Sequence, residues 1–466
     1  MRLTFATTIA LFSWPIFTFA QSAIHLEAED AQLVGVIRAT TRPSFSGTGY
    51  VTGFDDDNDK LIFTVPARTA GVYDVKIRYA SPSVKGYYLN VNGVKLKGIF
   101  PGSGDKFAEF NAGKIELNAG KNTIAIEKYW GFYDIDKIDL LPAPPSKTVV
   151  KPPNKLSDPA ASSKAKALFA MLRQRYGGGT FSGVYTNDDA DYVKQVTGKT
   201  PAIMGGDLIE YSPSRVEHGS DAKNEVERLI SASQNNSIIT LSWHWNAPSG
   251  LLDKMLTSEQ GQQIDARWYK GFNTSATTFD VQKALADPKS EDYRLLLRDI
   301  DAIAVQLKKL SDADVPILWR PLHEAEGGWF WWGAKGPQPF IQLWRLLHDR
   351  LTHEHHLHNL IWVYTSAGNP AWYPGDEYVD VVGADDYPVD LRDTFSVDWE
   401  TLLSQFAGRK LLAISEFGGV PDVQSMRNLG EYWSYFVSWS GELGPHKMSD
   451  DDLRRIYNSS AVINQR

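Results

Sequence analysis

Two segments far apart in the chain each end an apolar run in a glutamate. One reads Trp319-Arg320-Pro321-Leu322-His323-Glu324, the other Ala413-Ile414-Ser415-Glu416-Phe417-Gly418-Gly419. Two carboxyl groups can cut a glycosidic bond with retention when one protonates the leaving oxygen and the other attacks the anomeric carbon, about 5 to 5.5 Å away. A lone glutamate at a strand end more often serves an ion pair or a helix cap. Here the pair is separated by residues suited to stacking on sugars. Gly327-Gly328-Trp329-Phe330-Trp331-Trp332-Gly333 puts four aromatics in a row behind Glu324, and four successive rings cannot all turn inward from a loop. Some should line a groove, where an indole meets the apolar face of a pyranose. Other apolar runs also end in polar side chains: Trp243-His244-Trp245-Asn246, and Gly383-Ala384-Asp385-Asp386-Tyr387. Trp268, Tyr269 and Phe272 fit either further stacking or a helix core.

These groups need a scaffold that converges strand ends. From residue 156 onward, apolar β-branched runs alternate with stretches of helical spacing, the pattern of repeated βα units. Eight strands are expected at Thr180 to Tyr185, Ala202 to Leu208, Ile238 to Trp245, Ile317 to Leu322, Leu360 to Thr365, Val379 to Ala384, Leu411 to Ser415 and Tyr435 to Trp439. Helices such as Asn224 to Ala232, Tyr293 to Leu310 and Phe340 to Thr352 fall between them. Eight units over residues 156–466 predict a (β/α) eight-stranded TIM barrel, whose active groups sit at the C-terminal strand ends. No glycine-rich phosphate loop follows the first strand, which disfavours an open doubly wound sheet.

Residues 22–142 read differently. Short alternating segments, with Asn92-Gly93 as a hairpin turn, predict a small all-β sandwich of jelly-roll type. Between the two parts, residues 143–155 (APPSKTVVKPPNK) hold four prolines and no aromatic residue, which predicts an extended, semi-rigid linker. Independent folding is the corresponding expectation: removal of 21–155 should leave hydrolysis of soluble substrate largely intact. Residues 1–20, with Arg2 before an apolar run from Ile9 to Ala20, read as a signal peptide that directs secretion to the extracellular space. The run contains Pro15 and is shorter than the roughly 20 residues a spanning helix needs.

It is at the glutamate motifs that the chain resembles glycoside hydrolase family 26, the retaining endo-β-mannanases, over essentially all of 156–466. Arg320-Pro321-Leu322-His323-Glu324 carries most of that resemblance. It implies that Glu324 is the acid/base and Glu416 the nucleophile. It further implies that His244, His323, Trp329 and Trp439 contact sugar and that Tyr387 donates to the nucleophile and so holds it ionised and aimed; of the two aspartates before Tyr387, Asp385 is the candidate sugar contact. Where some members have an arginine after the strand-eight Trp, this chain has Ser440. The N-terminal part resembles carbohydrate-binding module family 35. Glu27 and Glu29, two apart on one strand face, would then bind a structural calcium ion with Asp136 or Asp139. Trp130, in a glycine-bearing loop, is the choice for sugar stacking by the module.

Composition excludes other classes. The 466 residues carry 48 Lys plus Arg against 56 Asp plus Glu, a formal charge of −8, so no basic field exists for nucleic acid or acidic membrane. Without cysteine there is neither a thiol nucleophile nor a disulfide framework. Thirteen of the 15 Trp lie after position 240, on the barrel side. Residues 352–359 (THEHHLHN) hold four histidines, read as a polar helix end on the non-catalytic side and not as a metal site. The expected protein is a monomer that needs no cofactor for catalysis and acts on mannans. Xylan or mixed β-glucan are alternative substrates, and a non-catalytic polysaccharide-binding protein is the alternative class.

Overall fold

The computed structural model describes residues 22–143, 148–257 and 261–465, without the side chains of Trp268 and Tyr269. The leader-like run of residues 1–20 and part of the linker lie outside the described residues.

The apolar runs of the C-terminal part form eight parallel strands that close into a barrel. They are β1 (Gly183–Val184), β2 (Ile203–Asp207), β3 (Ile238–Trp243), β4 (Ile317–Pro321), β5 (Leu360–Thr365), β6 (Val381–Asp386), β7 (Leu411–Phe417) and β8 (Phe436–Ser438). The TIM barrel expected from the βα repeat is present. Its first strand is shorter than expected, because Thr180–Phe181 leaves the barrel to pair with Val462–Ile463 near the C-terminus. Amphipathic helices cover the outside. Glu291–Asp312 starts where the Ser290 hydroxyl accepts the Tyr293 N–H, with Glu291 and Asp292 in its first turn, both favourable at a helix N-terminus. Pro337 opens Pro337–Asp349, where its missing N–H costs nothing. Among the described residues no helix is long and apolar enough to cross a membrane.

The N-terminal part is a sandwich of two antiparallel sheets. One is ordered Ile37–Ala39, Tyr50–Thr52, Asp134–Pro142, Gly71–Ala80, Ala108–Leu117, with Ile24–Glu27 also on Asp134–Pro142; the other is ordered Gln32–Val34, Lys60–Ala67, Gly120–Trp130, Lys85–Val91, Val94–Phe100. The Asn92-Gly93 hairpin is present, with positive φ at both residues (53° and 85°), as a two-residue turn requires.

Composition predicted an extended, semi-rigid linker; its described part forms no helix or strand and packs on the barrel: Pro152 is buried and accepts from Arg173, and Lys151 donates to the Gln174 carbonyl at 2.6 Å. The sandwich docks too. Its strand Ala108–Leu117 lies on the barrel helix Ser396–Phe406, so closely that a Cβ on Gly113 would meet Ser396 backbone at 2.8 Å. Proline content reports the stiffness of a connection; it carries no information about the complementary surfaces on either side.

Candidate active site

The barrel mouth is organised around Arg320, which is 0% exposed. Its guanidinium donates to Asp385 Oδ2 at 2.6 Å, to the Tyr185 hydroxyl at 2.7 Å and to Glu416 Oε2 at 2.5 Å. A buried cation persists only when its charge is matched. Burial alone would lower the Arg320 pKa, but Asp385, with Tyr185 and Glu416, holds it well above the usual arginine value. The second oxygen of Glu416 accepts from the Tyr387 hydroxyl at 2.5 Å. One carboxylate is thus fixed between a cation and a phenol, each end of it aimed.

Asp385 does not face the groove, contrary to the sequence expectation. Its side chain is 2% exposed, with Oδ1 taken by the Ser415 hydroxyl at 2.6 Å and Oδ2 by Arg320. It sits where β6 still points into the barrel, so it acts through Arg320. Burial, resisted by Arg320, pushes its pKa up to about 6.

Glu324 has the opposite surroundings. Leu322 and Glu324 both adopt left-handed backbone, at φ 51° and 54°, a conformation that costs a non-glycine residue about 1 to 2 kcal/mol. The turn ends β4 abruptly and brings Glu324 to the mouth. Its backbone N–H donates to Thr365 Oγ1 at 2.8 Å, and Trp329 Nε1 donates to Oε2 at 3.0 Å. Burial first, then the charges of Glu416 and Asp385, push the Glu324 pKa up to about 8, against the pull of Arg320 and Trp329. A carboxyl group held protonated at neutral pH beside one fixed by a guanidinium and a phenol is the arrangement that acid/base chemistry with a nucleophile needs.

Beside them, the Nε2 atoms of His244 and His323 are 3.0 Å apart. Burial, with Arg320 and His244 adding to it, holds His323 well below the usual histidine pKa. Burial would also lower His244, but Asp207, 2.5 Å from Nδ1, reverses that and raises it. His323 lies buried behind His244, and His244 reaches the cavity.

Of the four successive aromatics, Trp329 is 46% exposed, while Phe330, Trp331 and Trp332 are buried. The buried indoles pin the site: Trp331 Nε1 donates to the Trp245 carbonyl at 2.7 Å and Trp332 Nε1 to the His323 carbonyl at 2.8 Å. Trp439 lies 4.7 Å from the Tyr185 ring and 6.0 Å from His244. With Tyr185, Asp207, His244, Phe272 and Ser440 it lines a cavity of about 610 Å³. Phe272 meets His244 edge-on at 4.8 Å; the Trp268 and Tyr269 side chains lie outside the described residues. Arg320, Tyr185 and Asp207 were missed from sequence. Asp207 ends a strand just as the recognised residues do, and Arg320 stood inside the motif itself as a charge in an apolar run.

In the sandwich, Ser46 Oγ donates to Glu27 Oε2 at 2.7 Å and lies 3.0 Å from Asp136 Oδ2. Glu29 Oε1 accepts from Thr48 and Gly49 backbone N–H groups, and its buried Oε2 has no hydrogen-bond partner. Asp136 also meets Arg78. Asp139 is excluded from this group, because His25 holds its Oδ1 at 2.6 Å and Lys137 its Oδ2 at 2.9 Å. Trp130 is 41% exposed. A smaller cavity nearby, about 300 Å³, is lined by Arg42, Phe132 and Asp134 among others. Two of the histidines of 352–359 are engaged by carboxylates, His355 by Asp301 at 2.6 Å and His358 by Asp158 at 2.7 Å. Among the described residues His348, Asp349 and His353 do come together, with ligand atoms within 4.8 Å.

Known proteins bear on both parts. Residues 157–466 match the model of Glycosyl hydrolase family 26, and residues 24–143 that of Carbohydrate binding module (family 35). A mannan endo-1,4-beta-mannosidase of Thermothelomyces thermophilus is 42% identical over 445 residues, 95% of this chain and 90% of that protein. Mannan endo-1,4-beta-mannosidase B of Piromyces sp is 32% identical over 96% of this chain and 77% of its own length. The crystal structure of the Podospora anserina GH26-CBM35 beta-(1,4)-mannanase matches with TM-score 0.67 and 42% identity over 95% of this chain and 97% of that one. A barrel whose strands four and seven end in paired glutamates, matched over its whole length by one family model, belongs to glycosyl hydrolase family 26.

Proposed function

We propose that this chain is a secreted, retaining endo-β-1,4-mannanase that cleaves internal bonds of mannan, galactomannan or glucomannan, with the sandwich binding polysaccharide. The observation that carries the reading is the contrast between Glu324, its pKa pushed up to about 8, and Glu416, clamped by Arg320 and Tyr387. Glu324 is then the acid. It gives its proton to the leaving oxygen while a Glu416 oxygen forms a bond to the anomeric carbon and the glycosidic C–O bond breaks. Glu324, now a carboxylate, takes a proton from water, which attacks the same carbon and releases Glu416. Trp329 and Trp439 stack on sugars to either side of the bond, and His244, oriented by Asp207 and His323, lines the subsite just before it. The names of the relatives support mannan as the substrate, and the apolar run from Ile9 to Ala20 supports export.

A structural calcium ion in the sandwich at Glu27, Glu29 and Asp136 is supported by Glu29 Oε2, a buried carboxyl oxygen with no hydrogen-bond partner. Bound there, calcium cross-links the N-terminal strand to the loop at 46–49; it takes no part in cleavage. Trp130 is the module's stacking ring. The protein acts as a monomer and needs no cofactor for catalysis.

The test is digestion of galactomannan, glucomannan, xylan and mixed-linkage glucan, with reducing ends measured. Oligosaccharides from the two mannans are expected. Release from xylan or mixed-linkage glucan alone overturns the substrate.

A further inference from the structure

From the last residue of β6 onward the chain carries four carboxylates, Asp386, Asp390, Asp393 and Asp398, within thirteen positions. The sandwich supplies partners to three of them. Lys97 Nζ reaches Asp386 Oδ1. The Lys97 backbone N–H donates to Asp393 Oδ2 at 2.8 Å, and the Lys95 backbone N–H to Asp390 Oδ2 at 3.2 Å. Arg392 also reaches back to the Gly93 carbonyl at 2.9 Å. A few residues on, Lys114 donates from its backbone to Ser396 Oγ at 2.7 Å and pairs through Nζ with Glu400. Asp393 is buried, and burial followed by nearby carboxylates pushes both Asp393 and Asp398 up to about 7. An acidic cluster of this density repels itself unless a cation and donors face it. In this chain, they come from a strand 289 residues away in sequence.

The cluster adjoins the reacting groups. Asp386 is the last residue of β6, and its carbonyl accepts the Gly418 N–H at 2.9 Å. Gly418 lies two positions after Glu416. The next residue after Asp386 is Tyr387, whose ring lies so close to Gly418 that a Cβ there would meet it at 2.7 Å. A displacement of Asp386 therefore moves the Tyr387 hydroxyl relative to the Glu416 oxygen it holds.

We propose that Lys97 of the sandwich is a positioning residue for the catalytic centre, acting through Asp386 to set the Tyr387–Glu416 hydrogen bond. The sandwich is in that respect part of the active-site scaffold as well as a binding module. The inference rests on Glu416 being the nucleophile. It reverses the expectation that removal of 21–155 leaves hydrolysis of soluble substrate intact.

The test uses the full chain and a soluble manno-oligosaccharide, with kcat and KM measured together and melting followed by circular dichroism. Lys97→Met is expected to lower kcat about tenfold, a loss in the range of a misplaced catalytic group, with KM within about twofold. Lys97→Arg restores most of kcat, and adding Asp386→Asn to Lys97→Met recovers part of it by removing the unpaired carboxylate. A folded Lys97→Met with normal kcat and only a lowered Tm overturns the proposal, since a merely structural contact would behave so. An equal loss in Lys97→Arg also overturns it. If Lys97→Met does not fold, Lys97→Gln is read in the same way on its folded fraction. Glu416→Ala is run in parallel: full activity there sinks the nucleophile assignment, whereas an inactive Glu416→Ala beside an unaffected Lys97→Met sinks only the positioning role.

Discussion

The barrel mouth and the acidic pocket of the sandwich are built from the same materials: carboxylates, an arginine and a few hydroxyls. They differ in how the negative charge is matched. At the mouth, Arg320 stands between Asp385 and Glu416, and Ser415 and Tyr387 fill the remaining oxygens. In the sandwich, Arg78 meets Asp136, but Glu29 keeps one buried oxygen without a donor beside Glu27. A carboxylate taken out of water needs a donor or a cation. The mouth supplies both and can keep one carboxyl, Glu324, in the protonated form; in the pocket the proposed calcium ion would do what Arg320 does.

The comparison breaks most visibly at Glu416. Glu416→Ala is expected to lower kcat on mannan by on the order of 10⁴-fold, and Glu324→Gln by about 10³-fold; near-normal turnover in either would show that the pair is not the cleaving pair. Tyr387→Phe removes one of the two donors that fix Glu416, and a charge-assisted hydrogen bond of that kind is worth about 10- to 100-fold in kcat. An unchanged kcat would mean that Arg320 alone sets the nucleophile.

The sandwich side of the comparison is sharpened by calcium. Chelation should lower the melting temperature of the wild type by about 3 to 8 °C, and re-addition should restore it. In Glu29→Gln, which removes the unmatched charge, the calcium response should be lost. A wild type indifferent to chelator would place the pocket with the self-compensated sites.

The smallest effect concerns pH. Glu324 must carry a proton to act, so kcat should fall as pH rises through about 8. Trp329 donates to the ionised form of Glu324 and so lowers its pKa. Trp329→Phe removes that donor, and the alkaline limb should move up by about half a unit. A downward move would contradict the assigned hydrogen bond.

Much of this was legible in the chain as written. Alternation of β-branched runs with amphipathic stretches specified the barrel, because strand and helix periods leave different traces. The glutamates announced themselves because a charge that ends an apolar run must emerge where the strand does. The same rule pointed to His244 and Tyr387, and should have pointed to Asp207. Asp385 shows where the rule stops: adjacent polar residues at a strand end alternate in direction, and spacing alone does not say which one turns inward to an arginine. Asp139 failed similarly, since His25 and Lys137, its partners, lie on a neighbouring strand and on its own.

What the sequence alone determined was therefore periodic and local: two kinds of domain, which strands carry acids, and which aromatic run lies beside them. The tertiary structure decided everything that depends on which groups share a desolvated space. It chose the single exposed ring among four aromatics, pushed the Glu324 pKa up, buried Arg320 as the counterion of Asp385 and Glu416, and brought Lys97 of the sandwich against Asp386 of the barrel. Those outcomes are pairwise electrostatic and packing facts between residues up to about three hundred positions apart, and no local pattern encodes such pairs.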